Sequence, residues 1–171
     1  MSEVTIRLAS ARDAAAIRHV HTEAFGRADE AELALRLLAR EPRCISLVAE
    51  RAGAVIGHAL WSPVAVEGRE LAPPPLALGP LGVLPAEQRA GAGSALARAG
   101  LDACRRRGAP FAVVLGHPPY YPRFGFVPAA RFGLTFEDLA PRDSFMALEL
   151  VPGALANAAG KVRYAPEFST A

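Results

Sequence analysis

The sequence predicts a mixed α/β domain, and three observations carry that prediction. A strand, a glycine-containing loop and a helix follow one another over residues 78–107, and a continuous apolar run, Phe111–Leu115, comes next. Strand, helix and strand in that order make a βαβ unit, whose crossover is right-handed in nearly every known case. Upstream, two β-rich runs, residues 44–51 and 55–66, flank Ala52-Gly53 and read as a hairpin. Before the hairpin, Ile17, Val20, His21 and Ala24, and then Leu33, Leu37 and Leu38, recur at helical spacing.

Composition bounds the rest. The 171 residues, 51% of them apolar, suffice for one domain with a real core. The chain is therefore read as a single domain over 1–171. Cys44 and Cys104 stand far apart without metal-ligand spacing and suit a reducing compartment as buried thiols. The first residues, Met1-Ser2-Glu3-Val4-Thr5-Ile6-Arg7, lack a basic-then-apolar signal. Residues 71–87 hold Pro73, Pro74, Pro75, Pro80 and Pro85, which exclude a membrane helix there. A cytoplasmic location is the expectation. A net charge of +2 is too small to indicate nucleic acid. Its distribution is uneven: between Gln88 and Arg131 lie Arg89, Arg98, Arg105, Arg106, Arg107, Arg123 and Arg131 against the single acid Asp102. That positive field suits a small ligand with several phosphates, and the aromatics are not interleaved with the arginines as a stacking platform requires.

In chain order, residues 4–8 alternate weakly and read as a first strand. Ser10-Ala11-Arg12-Asp13 has the form of a capping box before the first helix. Asp29 or its neighbours start the second helix. The hairpin carries His58, a candidate base in Gly57-His58-Ala59-Leu60-Trp61. Glu67-Gly68-Arg69 makes a turn, and Pro73-Pro74-Pro75 a stiff lead-in to a strand over 76–84. Gly79-Pro80 inside that strand removes a ladder donor and predicts a bulge, from which the strand diverges from its parallel neighbour. The helix over 91–107 places Ala92, Leu96, Ala99 and Ala103 on one stripe, with Asp102 and Arg106 paired on the exposed side. Gly108 ends it, and Arg105, Arg106 and Arg107 complement its dipole. Residues 145–151 form a further strand, 161–164 a short edge strand, and about 165–171 a tail.

The loop between strand and helix has its own chemistry. A helix N-terminus leaves about four backbone N–H groups without partners and carries roughly half a positive charge. Small residues there let a phosphate reach the bare backbone. The stretch has no lysine, which excludes a P-loop, and Leu96 stands where a dinucleotide fingerprint needs its third small residue. What remains is Gln88-x-x-Gly91-x-Gly93 after a strand ending Leu81-Gly82-Val83. This resembles the acetyl-coenzyme A signature of the GNAT superfamily of N-acetyltransferases. Ala90 stands where that family often has a basic residue, with Arg89 one position earlier. A second match follows the next strand: Tyr120-Tyr121 and Gly125-Phe126 keep the spacing of the family's F-Y-x-x-x-G-F element, although His117 and two prolines replace the Asn often found before it. The chain looks most like a small bacterial subgroup of predicted acetyltransferases with poorly defined substrates.

The resemblance implies a central mixed, mostly antiparallel twisted sheet with helices on both faces. Residues 1–50 would border an acceptor cleft, and 76–126 would be the acetyl-CoA-binding core. It implies acetyl-CoA as cosubstrate: Gln88, Arg89, Ala90, Gly91, Ala92, Gly93 and Ser94 hold the pyrophosphate, and the main chain of Leu81, Gly82 and Val83 holds the pantetheine arm and the acetyl carbonyl. Tyr121 would be the general acid for the departing thiolate. His58, His117, Glu87 or water would be the base. The acceptor is a small-molecule or peptide amine of unread identity. No metal, nucleic acid or membrane partner is expected, and an exposed sheet edge makes a homodimer a candidate. A non-catalytic acyl-CoA sensor on the same fold shares every one of these features except turnover.

Overall fold

The computed structural model describes residues 2–137 and 142–170. By contacts the chain divides into two compact units, Met1–Ser62 with Gly79–Gly100 and Pro166–Ala171, and Pro63–Leu78 with Leu101–Ala165.

In the first unit, β1 (Val4–Leu8) pairs antiparallel with β2 (Ile45–Arg51), and β2 with β3 (Ala54–Pro63). The β2–β3 register shifts at Ala49/Glu50, a bulge near the hairpin turn. The last part of β5 (Leu76–Val83) lies beside β3, where Leu84 N–H donates to Ile56 O at 2.8 Å. Helices α1 (Ala14–Phe25) and α2 (Asp29–Arg40) form at the expected places. Asp13 acts as the sequence suggests: its carboxylate accepts from Ser10 N–H at 2.7 Å and takes both arms of the Arg7 guanidinium at 2.8 and 2.9 Å. These contacts hold its pKa well below the usual carboxylate range, the Arg7 hydrogen bonds contributing most. On α2 the buried face is Ala31, Leu33, Ala34 and Leu37, and Leu38 is only half-buried.

The helix α3 (Ala92–Arg106) begins one residue after Gly91. Its packing against β3 depends on a missing side chain. A Cβ at Gly100 would stand 1.8 Å from Cη2 of Trp61, so only glycine lets the indole lie against the helix backbone. A Cβ at Gly57 would meet Leu96 at 3.0 Å, whereas the next residue, His58, meets His21 of α1. Successive strand residues point to opposite faces, so α3 and α1 cover opposite faces of β3. The buried stripe of α3 differs from the sequence expectation. Ala92 and Leu96 are buried, but Ala97, Gly100, Leu101 and Cys104 complete the stripe, and Ala99 and Ala103 are half-buried. The bulk of Trp61 opposite Gly100 sets that rotation. Asp102 pairs with Arg105 at 3.2 Å, one residue earlier than the Arg106 pairing expected.

In the second unit, the first residues of β5 pair parallel with β6 (Phe111–Leu115), from Leu76↔Ala112 to Leu78↔Val114. The ladder ends there, one residue before Gly79-Pro80, where the sequence places the break. β6 pairs antiparallel with β9 (Phe145–Glu149), which pairs antiparallel with β7 (Val127–Pro128). A second, small sheet has the order β4 (Ala65–Val66), β10 (Gly160–Arg163), β8 (Leu134–Thr135). Two expectations are corrected by it. The predicted strand over 55–66 breaks at Val64, because Pro63 lacks a donor and Val64 N–H turns to Pro75 O at 2.9 Å. The predicted edge strand over 161–164 is instead the central strand of this sheet, with β4 antiparallel on one side and β8 parallel on the other. Phe111, Val113, Leu134, Phe145 and Val162 centre the core of this unit. The fold class is thus mixed α/β with mostly antiparallel pairing. The residues expected as a tail form a 3-10 turn, Pro166–Thr170, whose Glu167 carbonyl accepts from Arg36 of α2 at 3.5 Å.

Candidate functional site

The residues predicted to grip a phosphate lie on one turn of the first unit. β5 leaves the sheet at Val83, and a 3-10 turn, Pro85–Glu87, follows. Arg89 and Gly91 then take positive φ, +63° and +96°. An L-residue in that region costs about 1–3 kcal/mol, so the Arg89 backbone is strained to shape the turn. The first intrahelical bond of α3 runs from Ala95 N–H to Gly91 O at 2.9 Å. The peptide N–H groups of Ala92 and Gly93 precede it and point out of the helix mouth. Gln88, Arg89, Ala90 and Gly91 are exposed, and nothing lies within 4 Å of where a Gly91 Cβ would be. Ser94 is half-buried in the first turn.

Two side-chain contacts hold this turn. Gln88 Nε2 donates to Val83 O at 2.9 Å, folding back over the strand it follows. Arg51 of β2 donates to Glu87 at 3.0 Å, a mostly shielded pair. Glu87, one of the candidate bases, therefore tethers the turn to β2.

Upstream on β5, Gly82 is buried, and a Cβ there would lie 2.8 Å from His21 Nδ1. His58, a candidate base, is fully enclosed in the same unit. Its Nδ1 is 2.8 Å from His21 Nε2 and its Nε2 is 2.8 Å from Ser46 Oγ. Burial holds both imidazoles well below the ordinary histidine range, so both are neutral at pH 7. His21 carries a signal the sequence reading passed over. It falls on the apolar stripe of α1 beside Ile17 and Val20, where a polar ring needs a buried partner, and His58 is that partner.

Tyr121 belongs to the second unit, in the 3-10 turn Tyr121–Phe124, which contains Pro122 and ends at Gly125 with φ +102°. Its ring lies over Gly116, where a Cβ would be 2.5 Å from Cε2, and it meets Tyr120 edge-on with centroids 5.0 Å apart and Phe126 at 6.0 Å. Burial, with Tyr120 beside it, pushes its phenol up to about 12. His117, the third candidate base, is exposed. Among the described residues no group of three His, Cys, Asp or Glu side chains could hold a metal, and no helix is long and apolar enough to cross a membrane.

Comparison with known proteins fits this geometry. The family model described as an acetyltransferase (GNAT) domain matches residues 5–129. An E. coli protein named uncharacterized N-acetyltransferase YjhQ is 39% identical over 128 residues, 74% of this chain and 71% of the relative. The crystal structure of the E. coli GNAT family N-acetyltransferase YhbS in complex with CoA superposes with a TM-score of 0.90 at 31% identity, covering 99% of this chain and 93% of that one. A GNAT family acetyltransferase from Brucella melitensis, solved in complex with acetyl-CoA, superposes with a TM-score of 0.80 at 36% identity over 98% of this chain and 99% of its own. With the family model matching residues 5–129 and a relative 39% identical over 74% of the chain, the chain belongs to the GNAT acetyltransferase family.

Proposed function

We propose that this protein transfers an acetyl group from acetyl-CoA to an amine by direct attack within a ternary complex. The observation that carries the reading is the turn from Gln88 to Gly93 at the mouth of α3, exposed from Gln88 to Gly91 and shaped by the positive φ of Arg89 and Gly91. It offers a diphosphate donors and a favourable dipole without a dedicated cation. Gln88, Arg89, Ala90, Gly91, Ala92, Gly93 and Ser94 take the pyrophosphate through the backbone of the turn. Leu81, Gly82 and Val83 offer their backbone to the amide-bearing pantetheine arm, as a strand would. A peptide N–H near Val83 serves the developing thioester oxyanion.

Tyr121 is the proposed general acid. Its high proton affinity keeps the phenol protonated at any working pH. A free CoA thiol has a pKa of about 8.5, but a thiolate leaving into poorly solvated surroundings is a stronger base, which narrows the gap to the phenol. The amine must also become neutral: at pH 7 this costs about 4.6 kcal/mol for a lysine-type amine and about 1.4 for an α-amine. The acceptor in this reading is a small-molecule or peptide amine, and a cytoplasmic setting goes with it.

The test is a screen of amines that follows thiol release from acetyl-CoA. Turnover with at least one amine is expected, with Tyr121→Phe lowering kcat by about a hundred-fold while acetyl-CoA affinity is kept. Binding without turnover across the screen identifies a sensor, and unchanged kcat in Tyr121→Phe removes the acid role.

A further inference from the structure

Three residues in the first unit, His21, His58 and Ser46, form a line that has no part in the function proposed above. His21 and His58 are both 0% exposed. Their rings meet edge-on with centroids 5.0 Å apart, and His21 Nε2 lies 2.8 Å from His58 Nδ1. At one end, His58 Nε2 lies 2.8 Å from Ser46 Oγ, and Ser46 is half-buried. At the other end, His21 Nδ1 is buried with no hydrogen-bond partner, and it lies over Gly82, where an added Cβ would come within 2.8 Å. A buried polar atom left without a partner costs about 1–3 kcal/mol. Its position against β5 makes a bound substrate the natural group to satisfy it.

We propose that His21, His58 and Ser46 form the path by which the acceptor amine loses its proton, with His21 Nδ1 the atom that receives it. This rests on the reading of Leu81, Gly82 and Val83 as the place of the thioester. A buried N–H without an acceptor is rarer than a bare acceptor, so the starting tautomer leaves Nδ1 of His21 unprotonated. His21 Nε2–H then donates to His58 Nδ1, and His58 Nε2–H to Ser46 Oγ. In the transfer the ammonium proton moves to His21 Nδ1. The Nε2 proton of His21 passes to His58 Nδ1, the Nε2 proton of His58 passes to Ser46 Oγ, and the serine releases its own proton to water. The amine keeps the electron pair of its broken N–H bond and becomes the nucleophile. Both rings finish neutral in the opposite tautomer. After product leaves, water returns a proton through Ser46 to His58 Nε2, the Nδ1 proton of His58 passes back to His21 Nε2, and His21 Nδ1 gives its proton to water entering the cleft, which resets both rings.

Two rings serve where one would not. Burial disfavours an imidazolium at either position, and each ring is further from charging than Glu30 on α2, which acts on His21, or Asp13 before α1, which acts on His58, can offset. A tautomer shift across the pair moves one proton while leaving no net charge in the core. Ser46 and His58 are positioning residues in this scheme, and only His21 touches the substrate.

The test uses the full chain, acetyl-CoA and two probe acceptors: ethylamine, a cation at neutral pH, and hydroxylamine, which is neutral there. His21→Gln is expected to lower kcat with ethylamine by about a hundred-fold. Ser46→Ala, at the half-buried outer end, removes one hydrogen bond of the line and lowers it by about ten-fold. Both variants keep the wild-type KM for acetyl-CoA and lose much less with hydroxylamine, and His19→Gln, exposed on α1, changes neither rate. Long-range proton–nitrogen NMR of the wild type reads the tautomers directly and decides the matter should His21→Gln not fold. Equal losses with the two amines, unchanged kcat in Ser46→Ala, His21 Nδ1 protonated in the acetyl-CoA complex, or binding of acetyl-CoA without turnover of either amine overturns the proposal. Acetyl-CoA that fails to bind the wild type by calorimetry overturns the reading of the turn and of β5 beneath it.

Discussion

Replacing Gly91 by alanine isolates the backbone's part in ligand binding. At φ +96° an alanine is strained, yet its methyl would meet nothing within 4 Å. The substitution therefore adds no clash and removes no contact. Its whole effect is the cost of holding an L-residue in the left-handed region, about 1–2 kcal/mol. That cost appears in one of two places. If the free turn keeps its shape, the strain lowers global stability, and the unfolding midpoint falls by about 2–8 °C for a chain of this size. If the free turn relaxes, the strain returns on binding, and Kd for acetyl-CoA rises by about 5–30-fold. The two free-energy changes, read by thermal unfolding and calorimetry on the same preparation, are expected to sum to that same 1–2 kcal/mol. A sum indistinguishable from zero would refute the claim that this glycine is required for its φ.

Three further outcomes follow from the packing and the buried groups. Gly100→Ala drives a methyl to 1.8 Å from the fully buried Trp61; overpacking of about 1–3 kcal/mol outweighs the gain of up to about 1 in helix propensity, so thermal unfolding is expected at lower temperature. The neutral His21–His58 pair makes stability fall on mild acidification. The unfolded rings bind protons below about pH 6.5 while the folded ones do not, so the unfolding free energy is expected to decline as pH drops from 7 towards 4, and denaturant melts of His58→Gln should show a shallower decline. Cys104 is buried with its thiol pushed up to about 12, whereas Cys44 is half-buried; a thiol-reactive disulfide reagent is expected to label Cys44 in the native protein and Cys104 only on unfolding, as mass spectrometry of the labelled peptides would show.

The elements whose signals are local were legible in the sequence. Helix starts at Ser10-x-x-Asp13 and Asp29, the hairpin at Ala52-Gly53, and the end of the parallel ladder before Gly79-Pro80 each depend on a few adjacent residues. The turn at Gln88 to Gly93 belongs to the same class, since glycine spacing after a strand is itself the geometric requirement. What escaped depends on partners distant in the chain. The rotation of α3 is decided by Trp61, nearly forty positions before Gly100, and no helical period shows that. The central place of β10 depends on short strands around Ala65 and Leu134, too brief to leave an alternation. His21 reads as one more member of an apolar stripe until His58 stands against it. Glu87 looks like a solvated loop acid because Arg51, its partner, comes from another strand.

The Gln88 amide and the Arg51–Glu87 pair have a consequence for the thermodynamics of recognition. These two contacts tie the entrance of the turn to β5 and to β2. A diphosphate bound there as proposed would meet amides held in place, and the chain would surrender little conformational freedom in accepting it. Cutting either tether should leave every ligand-facing atom in place and still weaken the grip, because the missing order would then have to be created at the moment of capture.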